Sequence, residues 1–483
     1  MMTALKPALA TSPVWTAQEV CAAVGGASSS PDLALFGLQI DSRDVGNGDL
    51  FVAMPGTEMD GHDFVEKALA SGAAAALVRR DWDEPEGVEA GKLIRCDCPR
   101  EALIAMARAR RAAVDAKVIG VTGSVGKTGL KDALQRCLGR QALAHTNVRS
   151  FNNDVGVPLT MARMPRETQY AIFEMGMNHA GELTQLSDWV RPDVAVITTI
   201  AKAHYAFFKS EEGIADAKAE IFSGLMPGGT AILPADNQHF ERLKRAALDA
   251  GAANIVTFGH SPSADVHAQA VVSHGDCTAL SAKVGDQSML LKVGIAGRHW
   301  VSNALAALAC IEAVGADIGL SALSLASLRA LPGRGEVSAV RVGAGDVKLM
   351  DDSYNANPAS MAASIETFGQ LQGASRGRKI AVLGDMLELG DAGPEEHEKL
   401  AAHLTAADVD YVICVGPLMA HLADVAQRDI TTFHEVDPPK AIARLRSELR
   451  AGDTLLIKGS NSIGLSKVVS ELKAGALALD KER

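Results

Sequence analysis

The sequence predicts an α/β protein of three domains, and three observations lead to that prediction. At 483 residues the chain is too long for one compact core. Short apolar runs alternate with helical stretches in its central and C-terminal parts, which is typical of parallel sheets with crossover helices. A helical run beginning near residue 99 and the break Leu331-Pro-Gly-Arg-Gly335 divide the chain. We therefore predict domains at residues 1–99, 100–331 and 332–483.

The first domain is predicted to be a small α/β unit. LALFGLQI (33–40) and GDLFVAM (48–54) have the composition of short strands. The alanine-rich FVEKALASGAAAALV (64–78) predicts a helix. PREALIAMARARRAAV (99–114) predicts a second helix that leads into the next domain.

The other two domains are predicted to contain largely parallel sheets. In the central one, apolar strands are expected at YAIFEMG, DVAVITTI, TAILPADN and NIVTFG, and alternating stretches from Asp265 to Val293 predict a few antiparallel strands at the margin. In the C-terminal one, VKLMDDS, KIAVLGDM, YVICVG and DTLLIKGS predict an open, Rossmann-like α/β domain.

Composition excludes several classes of protein. The net charge is −11, and Lys and Arg are scattered, so general binding to nucleic acid or to an anionic membrane is not expected. The seven cysteines are dispersed without a CxxC pair, which indicates reduced thiols rather than a zinc site. No apolar stretch has the length of a membrane helix. We expect a cytoplasmic monomer with no nucleic-acid partner and no membrane span.

The stretch KVIGVTGSVGKTGLK (117–131) has the strand, loop and helix order of a nucleotide-binding phosphate loop. The backbone of Gly123, Ser124, Val125 and Gly126 is expected to approach phosphate oxygens. The Lys127 ammonium would reach the β and γ phosphates, and the Thr128 hydroxyl would ligate magnesium. The general pattern G-x-x-x-x-G-K-[ST] asks for glycine where this chain has Val121. A plain glycine turn is the alternative, but the continuous G-K-T favours a nucleotide site.

Three further residues are candidates for the same site. Glu174 ends the strand-like YAIFE, where open parallel sheets place ligands, although a solvated rim glutamate is the ordinary alternative. His204 follows the next predicted strand and is a candidate metal ligand, although single histidines are usually packed or exposed side chains. Lys218 lies on an amphipathic pattern, where a lysine ordinarily faces water.

Taken together, T-G-S-x-G-K-T, FEMGMNHAGEL, AKAH and DAKAEIF resemble the Mur ligase family, ATP-dependent enzymes that extend the peptide of the cell-wall precursor. The family's loop does not require glycine at the position of Val121. The resemblance covers nearly the whole chain. It implies catalytic roles for Lys127, Lys218 and His204, with Mg²⁺ held by Thr128, Glu174, His204 and a carbamylated Lys218.

The resemblance also implies binding roles in all three domains, so that the first binds the UDP precursor, the second binds ATP and the third completes the ligase. Nucleotide contacts are expected from residues 123–128 and from Asn303, Arg334, Asp352 and Tyr354. Substrate contacts are expected from Ser42, Arg43, Asn152, Asn153, Asn355, Lys458 and Ser460.

Within the family, YNANP and VLGDMLELG followed by EEH favour the activity that joins D-alanyl-D-alanine to UDP-N-acetylmuramoyl-tripeptide through an acyl phosphate. The ligase adding the third, diamino-acid residue is the nearest alternative, but its D-N-P-R motif is missing here. Folylpolyglutamate synthase is a more remote one. A silent ATP-binding module and a generic phosphate-loop NTPase are alternatives of other classes. Three residues depart from the pattern expected of ligases with the favoured activity: Tyr205, Ala206 and Gly129.

Overall fold

The computed structural model describes residues 12–56, 59–148, 150–202, 205–208, 210–274, 277–343, 345–371, 373 and 377–475. Over these residues the chain forms a short antiparallel pair of strands and three larger sheets that follow one another along the sequence. In this part of the chain, every helix is too short or too polar to cross a membrane.

The first sheet has four parallel strands, and a two-stranded pair precedes it. The strands, in chain order, are β1 (Trp15–Thr16), β2 (Ala34–Leu35), β3 (Gly37–Gln39), β4 (Asp49–Val52), β5 (Ala75–Arg79) and β6 (Leu93–Cys96). The helices are α1 (Ala17–Val24), α2 (Val65–Ala70) and α3 (Pro99–Ala113).

The helix predicted over residues 64–78 is wrong in its second half. After α2 the chain turns at Gly72, whose φ of 108° lies in the region that favours glycine. The alanine-rich run then forms β5, in which Ala76, Leu77 and Val78 are fully buried. Small apolar residues fit a strand covered on both faces as well as they fit a helix, so composition alone misassigned them.

The second sheet has nine strands in the order β15-β14-β13-β12-β11-β10-β7-β9-β8, and its first three strands form the predicted antiparallel margin. The strands are β7 (Lys117–Thr122), β8 (Ala144–Thr146), β9 (Tyr170–Glu174), β10 (Val194–Ile197), β11 (Thr230–Pro234), β12 (Asn254–Gly259), β13 (Val266–His274), β14 (Cys277–Val284) and β15 (Gln287–Val293). The helices are α4 (Lys127–Gly139), α5 (Gly156–Ala162), α6 (Glu182–Val190), α7 (Glu211–Ala219), α8 (Phe240–Asp249), α9 (Arg298–Ala313) and α10 (Ile318–Leu325).

Strand β7 lies at the point where this sheet changes direction. It pairs in parallel with β9 on one side and with β10 on the other, although β8 precedes β9 in the chain. Crevices form at such points, outside the carboxyl ends of the strands. The phosphate loop leaves β7 at this end and Glu174 ends β9 there, so the topology brings these two predicted features together.

The third sheet has six strands in the order β16-β17-β21-β18-β19-β20, all parallel except for β16. The strands are β16 (Glu336–Val342), β17 (Gly345–Asp352), β18 (Lys379–Gly384), β19 (Tyr411–Val415), β20 (Thr431–Glu435) and β21 (Thr454–Lys458). The helices are α11 (Pro358–Gln370), α12 (Gly393–Glu398), α13 (Leu400–Ala406), α14 (Met419–Ala426), α15 (Pro438–Glu448) and α16 (Ser466–Lys473).

Two sets of contacts hold the third sheet against the second. On one side, Ser150 accepts hydrogen bonds from Tyr354 Oη at 2.8 Å and from Arg334 Nη2 at 3.3 Å. On the other, Lys202 donates to Glu396 at 2.9 Å. The backbone N–H of Ala206 also donates to the Glu388 carbonyl at 2.9 Å. The carboxyl ends of both sheets therefore border one cleft.

Candidate active site

The cleft between the second and third sheets has a volume of about 680 Å³. Both sheets contribute residues that the sequence marked as candidates. The predicted site residues that line it are Ser124, Val125, Gly126, Lys127, Thr128, Asn152, Asn153, Glu174, Asn303, Arg334, Asp352, Tyr354, Asn355 and Lys458. The cleft thus gathers most of the predicted nucleotide and substrate residues into one site.

The phosphate loop requires its glycines for two physical reasons. Gly123 and Gly126 have φ of 144° and 90°, a backbone conformation that L side chains rarely adopt. A Cβ on Gly123 would lie 1.9 Å from Thr198 Oγ1, and one on Gly126 would lie 2.6 Å from Asn303 Oδ1. The loop therefore packs closely against its neighbours and leaves its backbone accessible to the cleft.

Lys127 begins α4 directly after the loop, and its Nζ donates to the Gly123 carbonyl at 2.6 Å. Burial lowers the pKa of the Lys127 amine. The Glu174 carboxylate opposes that shift, and the Arg334 guanidinium adds to it. The lysine therefore lies in a partly desolvated site that already has a second cation, and an anion would be stabilised there.

Glu174 is buried at the end of β9, and its two carboxylate oxygens have separate partners. Thr128 Oγ1 donates to Oε2 at 2.9 Å, and Asn152 Nδ2 donates to Oε1 at 2.8 Å. Thr128 belongs to the phosphate-loop helix, and Asn152 belongs to the loop before α5. One carboxylate therefore connects the nucleotide part of the cleft with the predicted substrate part.

The buried Asn147 supports this arrangement, and the sequence reasoning missed it. Its Oδ1 accepts from the Glu174 N–H at 2.7 Å, and its Nδ2 donates to the Phe151 carbonyl at 2.6 Å. Its own carbonyl accepts from Lys131 Nζ at 3.0 Å. Asn147 lies five residues before the predicted Asn152, but the sequence does not show that its amide bonds both Glu174 and Phe151.

Lys218 differs from the solvated helix lysine that its amphipathic pattern allowed. Its side chain is only 1% exposed, on the buried face of α7. Among the described residues, no anionic side chain acts on its amine. Burial lowers the pKa of this amine well below its ordinary value, and the nearby Lys127 ammonium lowers it further. The protonated form of the amine is consequently destabilised.

On the opposite wall, Lys458 Nζ donates to Asp352 Oδ2 at 2.8 Å and to the Asn355 carbonyl at 2.9 Å. The Arg334 guanidinium lies over the Tyr354 ring, with its carbon 3.9 Å from the ring centroid. Tyr354 keeps 38% of its surface exposed. This wall presents an accessible aromatic ring beside cationic groups.

Some predicted residues lie away from the cleft lining. Arg43 is largely exposed and pairs with Asp41, whose pKa it lowers to about 2. Ser42 beside it is buried. Ser460 Oγ accepts from the Leu387 N–H at 3.0 Å, so it holds a loop, and its neighbour Asn461 lines the cleft. His204 lies outside the described residues.

The sequence also predicted ligands for a metal ion at the nucleotide site. Among the residues for which positions are described, no group of three or more His, Cys, Asp and Glu side chains is arranged to hold a metal ion. The oxygens of Thr128 and Glu174 nevertheless lie close together, and hydroxyl and carboxylate oxygens are the ligands that Mg²⁺ prefers.

Comparison with known proteins identifies the chain. Three family models match it in succession: the Mur ligase family catalytic domain over residues 35–111, the Mur ligase middle domain over 121–311, and the glutamate ligase domain of Mur ligases over 333–461. A UDP-N-acetylmuramoyl-tripeptide--D-alanyl-D-alanine ligase of Rickettsia prowazekii is 33% identical over 89% of this chain and 94% of its own. The chain belongs to the Mur ligase family.

Solved Mur ligase structures share the fold. The crystal structure of MurF from Acinetobacter baumannii is 29% identical, covers 95% of this chain and 99% of its own, and superposes with a TM-score of 0.81. MurF ligase of Thermotoga maritima in complex with ADP is 27% identical, covers 91% and 97%, and has a TM-score of 0.76. The predicted three-domain α/β fold and the prediction of a ligase are confirmed. The three boundaries stay predictions.

The Mur ligase fold explains the unusual residue in the phosphate loop. Val121 lies on β7, is fully buried and pairs with Glu174 of β9 and Val196 of β10. The loop proper begins after Thr122, at Gly123. A β-branched residue suits this central strand, whereas glycine there would weaken it.

Other cleft residues were not predicted from sequence. They are Gly129, Ser150, Gly176, Met177, Asn178, Glu182, His299, Trp300, Gly333, Ala356, Asn357, Ser360, Ala363, Ser364 and Asn461. Several of them fall inside the quoted motif FEMGMNHAGEL, and His299 and Trp300 lie in the first turn of α9. The motifs located the segments, but which side chain of each segment enters the cleft depends on helix phase and on packing between domains.

Lys218→Met should stabilise the fold in buffer free of carbon dioxide. In the unfolded chain this lysine keeps its proton up to its ordinary pKa of 10.5, whereas in the folded chain it loses the proton at lower pH. The stability of the wild type therefore rises with pH between the folded and the unfolded pKa. Methionine removes this penalty. We expect the free energy of unfolding to rise by about 1–3 kcal/mol at pH 7, with the advantage shrinking towards pH 10.5.

Denaturant unfolding at several pH values measures this difference, and the exposed Lys440→Met of α15 is the control, expected to change little. Equal or lower stability of Lys218→Met at pH 7 would show that the amine is not buried in its neutral form.

Proposed function

We propose that this Mur ligase joins D-alanyl-D-alanine to UDP-N-acetylmuramoyl-tripeptide, with conversion of ATP to ADP and phosphate. The observation that carries the proposal is the shared cleft, where Lys127, Thr128 and Glu174 of the second sheet face Lys458 and the loop after β17. The relative from Rickettsia prowazekii, matched over most of both chains, bears the name of this activity.

The proposed chemistry follows from the weakness of a carboxylate as an electrophile. An oxygen of the tripeptide's terminal carboxylate attacks the γ phosphorus of ATP, and the bond from that phosphorus to the ADP oxygen breaks. The dipeptide amine then attacks the carbonyl carbon of the acyl phosphate, phosphate leaves, and the amine loses a proton. Two anions meet in the first step, and the Lys127 ammonium would offset their repulsion.

The nucleotide site is proposed around α9 and the start of the third domain. The ADP complex of the Thermotoga maritima neighbour supports use of an adenine nucleotide. Asn303 would contact the base, and Arg334, Asp352 and Tyr354 would complete the nucleotide site. The residues proposed to bind the substrate are Asn152, Asn153, Asn355, Lys458 and Ser460. Ser42 and Arg43 are proposed to bind its UDP end. The cytoplasmic location and the monomeric state stay predictions.

Mg²⁺ is the proposed metal cofactor, and the donor set fits it. The Thr128 hydroxyl and the Glu174 carboxylate are oxygen ligands 2.9 Å apart, and both line the cleft. When bound, the ion would neutralise charge on the phosphates. His204 remains a proposed ligand on sequence grounds.

Carbamylation of Lys218 is proposed for the same site. A neutral amine attacks carbon dioxide to give a carbamate, and it releases one proton. Burial beside Lys127 shifts the amine towards its neutral form, which is the reactive form, and the anionic carbamate would then be attracted to that ammonium. The product is an oxygen ligand in place of a repelled cation.

Lys218→Ala should therefore lose at least about 10²-fold in phosphate release, because the variant lacks one oxygen ligand for the metal ion that would neutralise the transferring phosphate. Added formate or acetate should restore part of the rate, and the wild type should lose activity when carbon dioxide is removed. The exposed Lys440→Ala is the control, expected to respond to neither treatment. Absence of both rescue and carbon dioxide dependence would exclude the carbamate.

Other ligase activities remain distinguishable by substrate. A third-residue ligase would use a free diamino acid, and a folylpolyglutamate synthase would use glutamate. A generic NTPase would release phosphate without UDP-sugar, and a silent binding module would release none.

The decisive assay is phosphate release with ATP, UDP-N-acetylmuramoyl-tripeptide and D-alanyl-D-alanine, omitting each component in turn. We expect full release only with all three, and no comparable release with a lone diamino acid or glutamate. Lys127→Met should lose at least about 10²-fold, because the phosphoryl group loses its fixed cation. Release that is independent of the dipeptide would contradict the proposal.

A further inference from the structure

Gly129 is the residue of the phosphate-loop helix that neither the motif nor the proposed chemistry explains. It lies in the first turn of α4, where glycine weakens a helix by about 1 kcal/mol relative to alanine. Its φ is not positive, so the backbone conformation does not demand glycine. The reason must lie in the space around it.

Two side chains of α9 occupy that space. A Cβ on Gly129 would lie 2.7 Å from Asn303 Nδ2 and 3.1 Å from Trp300 Cη2. Real Cβ atoms essentially never approach a neighbour as closely as the first distance. Trp300 and Asn303 are three residues apart on α9 and so share one face of the helix. The far edge of the indole therefore fits against the glycine.

Asn303 has little freedom to move away. Its Oδ1 lies where a Cβ on Gly126 would be only 2.6 Å distant, so its amide is fitted between two glycines. Both Trp300 and Asn303 are only 6% exposed, and both line the cleft. Among the residues that the structure describes, the Asn303 amide has no hydrogen-bond partner, which leaves it available to a ligand.

We propose that Gly129 and Trp300 form a size-matched pair that positions the Asn303 amide for the nucleoside base. Trp300 is a positioning residue in this arrangement, because it acts through Asn303. A side chain at position 129 would be caught between the indole and the Asn303 amide, and it would press on the amide, which lies nearer. The inference rests on the proposed use of an adenine nucleotide and adds the reason why α4 has glycine in its first turn.

The test is a double-mutant cycle of Gly129→Ala and Trp300→Phe, with ADP affinity measured by calorimetry. Phenylalanine is shorter and withdraws the ring atoms that contact Gly129. Gly129→Ala should weaken ADP binding about tenfold by misplacing one polar contact. The melting temperature should change little, because the gain in helix propensity offsets the crowding. In the double variant, ADP affinity should recover to within about threefold of the wild type.

Matched controls separate this effect from general ones. Gly139→Ala changes the last residue of the same helix, where the nearest atoms to a new Cβ are at an ordinary 3.8 Å. Trp189→Phe shortens a buried tryptophan of α6. Both should leave ADP affinity unchanged.

Steady-state kinetics provides a second readout. Gly129→Ala should raise the KM for ATP and leave the KM for the UDP precursor within about twofold, because Asn303 is assigned to the nucleoside base of ATP. Two results would each overturn the inference: an ADP affinity of Gly129→Ala equal to that of the wild type, or an ADP affinity of the double variant no higher than that of Gly129→Ala. A lower stability of Gly129→Ala would not change either conclusion. ADP binding needs no acceptor, so failure with D-alanyl-D-alanine would count only against the proposed function.

Discussion

The buried carboxylate of Glu174 is the constraint on which the rest of the site depends. A carboxylate with 1% exposure needs hydrogen-bond donors, and it takes them from Thr128 of the phosphate-loop helix and Asn152 of the neighbouring loop. Asn147 fixes the backbone of Glu174 and of the loop that contains Asn152 from behind. The nucleotide and substrate parts of the cleft are thereby placed relative to each other by one side chain.

Charge in this Mur ligase is arranged around that carboxylate. Lys127 and Arg334 approach the cleft from different domains, and each lowers the pKa of a nearby amine: Arg334 that of Lys127, and Lys127 that of Lys218. Lys218 lies buried behind Lys127 without a described anionic partner. Excess positive charge in a desolvated site is unfavourable for the protein alone, and polyphosphate or a carbamate would relieve it. Burial of Lys218 is expected to lower the stability of the fold, and such a cost is common for residues that serve the active site.

Sequence predicted the elements whose signals are local. The phosphate loop, the buried strand that ends at Glu174 and the antiparallel margin of the central sheet all follow from short patterns. Strand β20 was missed because TTFHE is polar and partly exposed, so no apolar run marks it. The burial of Lys218 and the packing of Trp300 on Gly129 involve segments far apart in the chain. Such contacts depend on how helices pack, which local periodicity does not specify.

We propose that Glu174 organises a metal-assisted nucleotide site together with Thr128. The most direct test of this proposal is a titration of Mn²⁺ into the ADP complex, followed by electron paramagnetic resonance, in the wild type and in Glu174→Gln. Glutamine keeps the shape of the side chain but removes its charge. We expect Mn²⁺ affinity to fall at least about tenfold while ADP affinity without metal stays the same. Equal Mn²⁺ affinity in the two proteins would contradict the account.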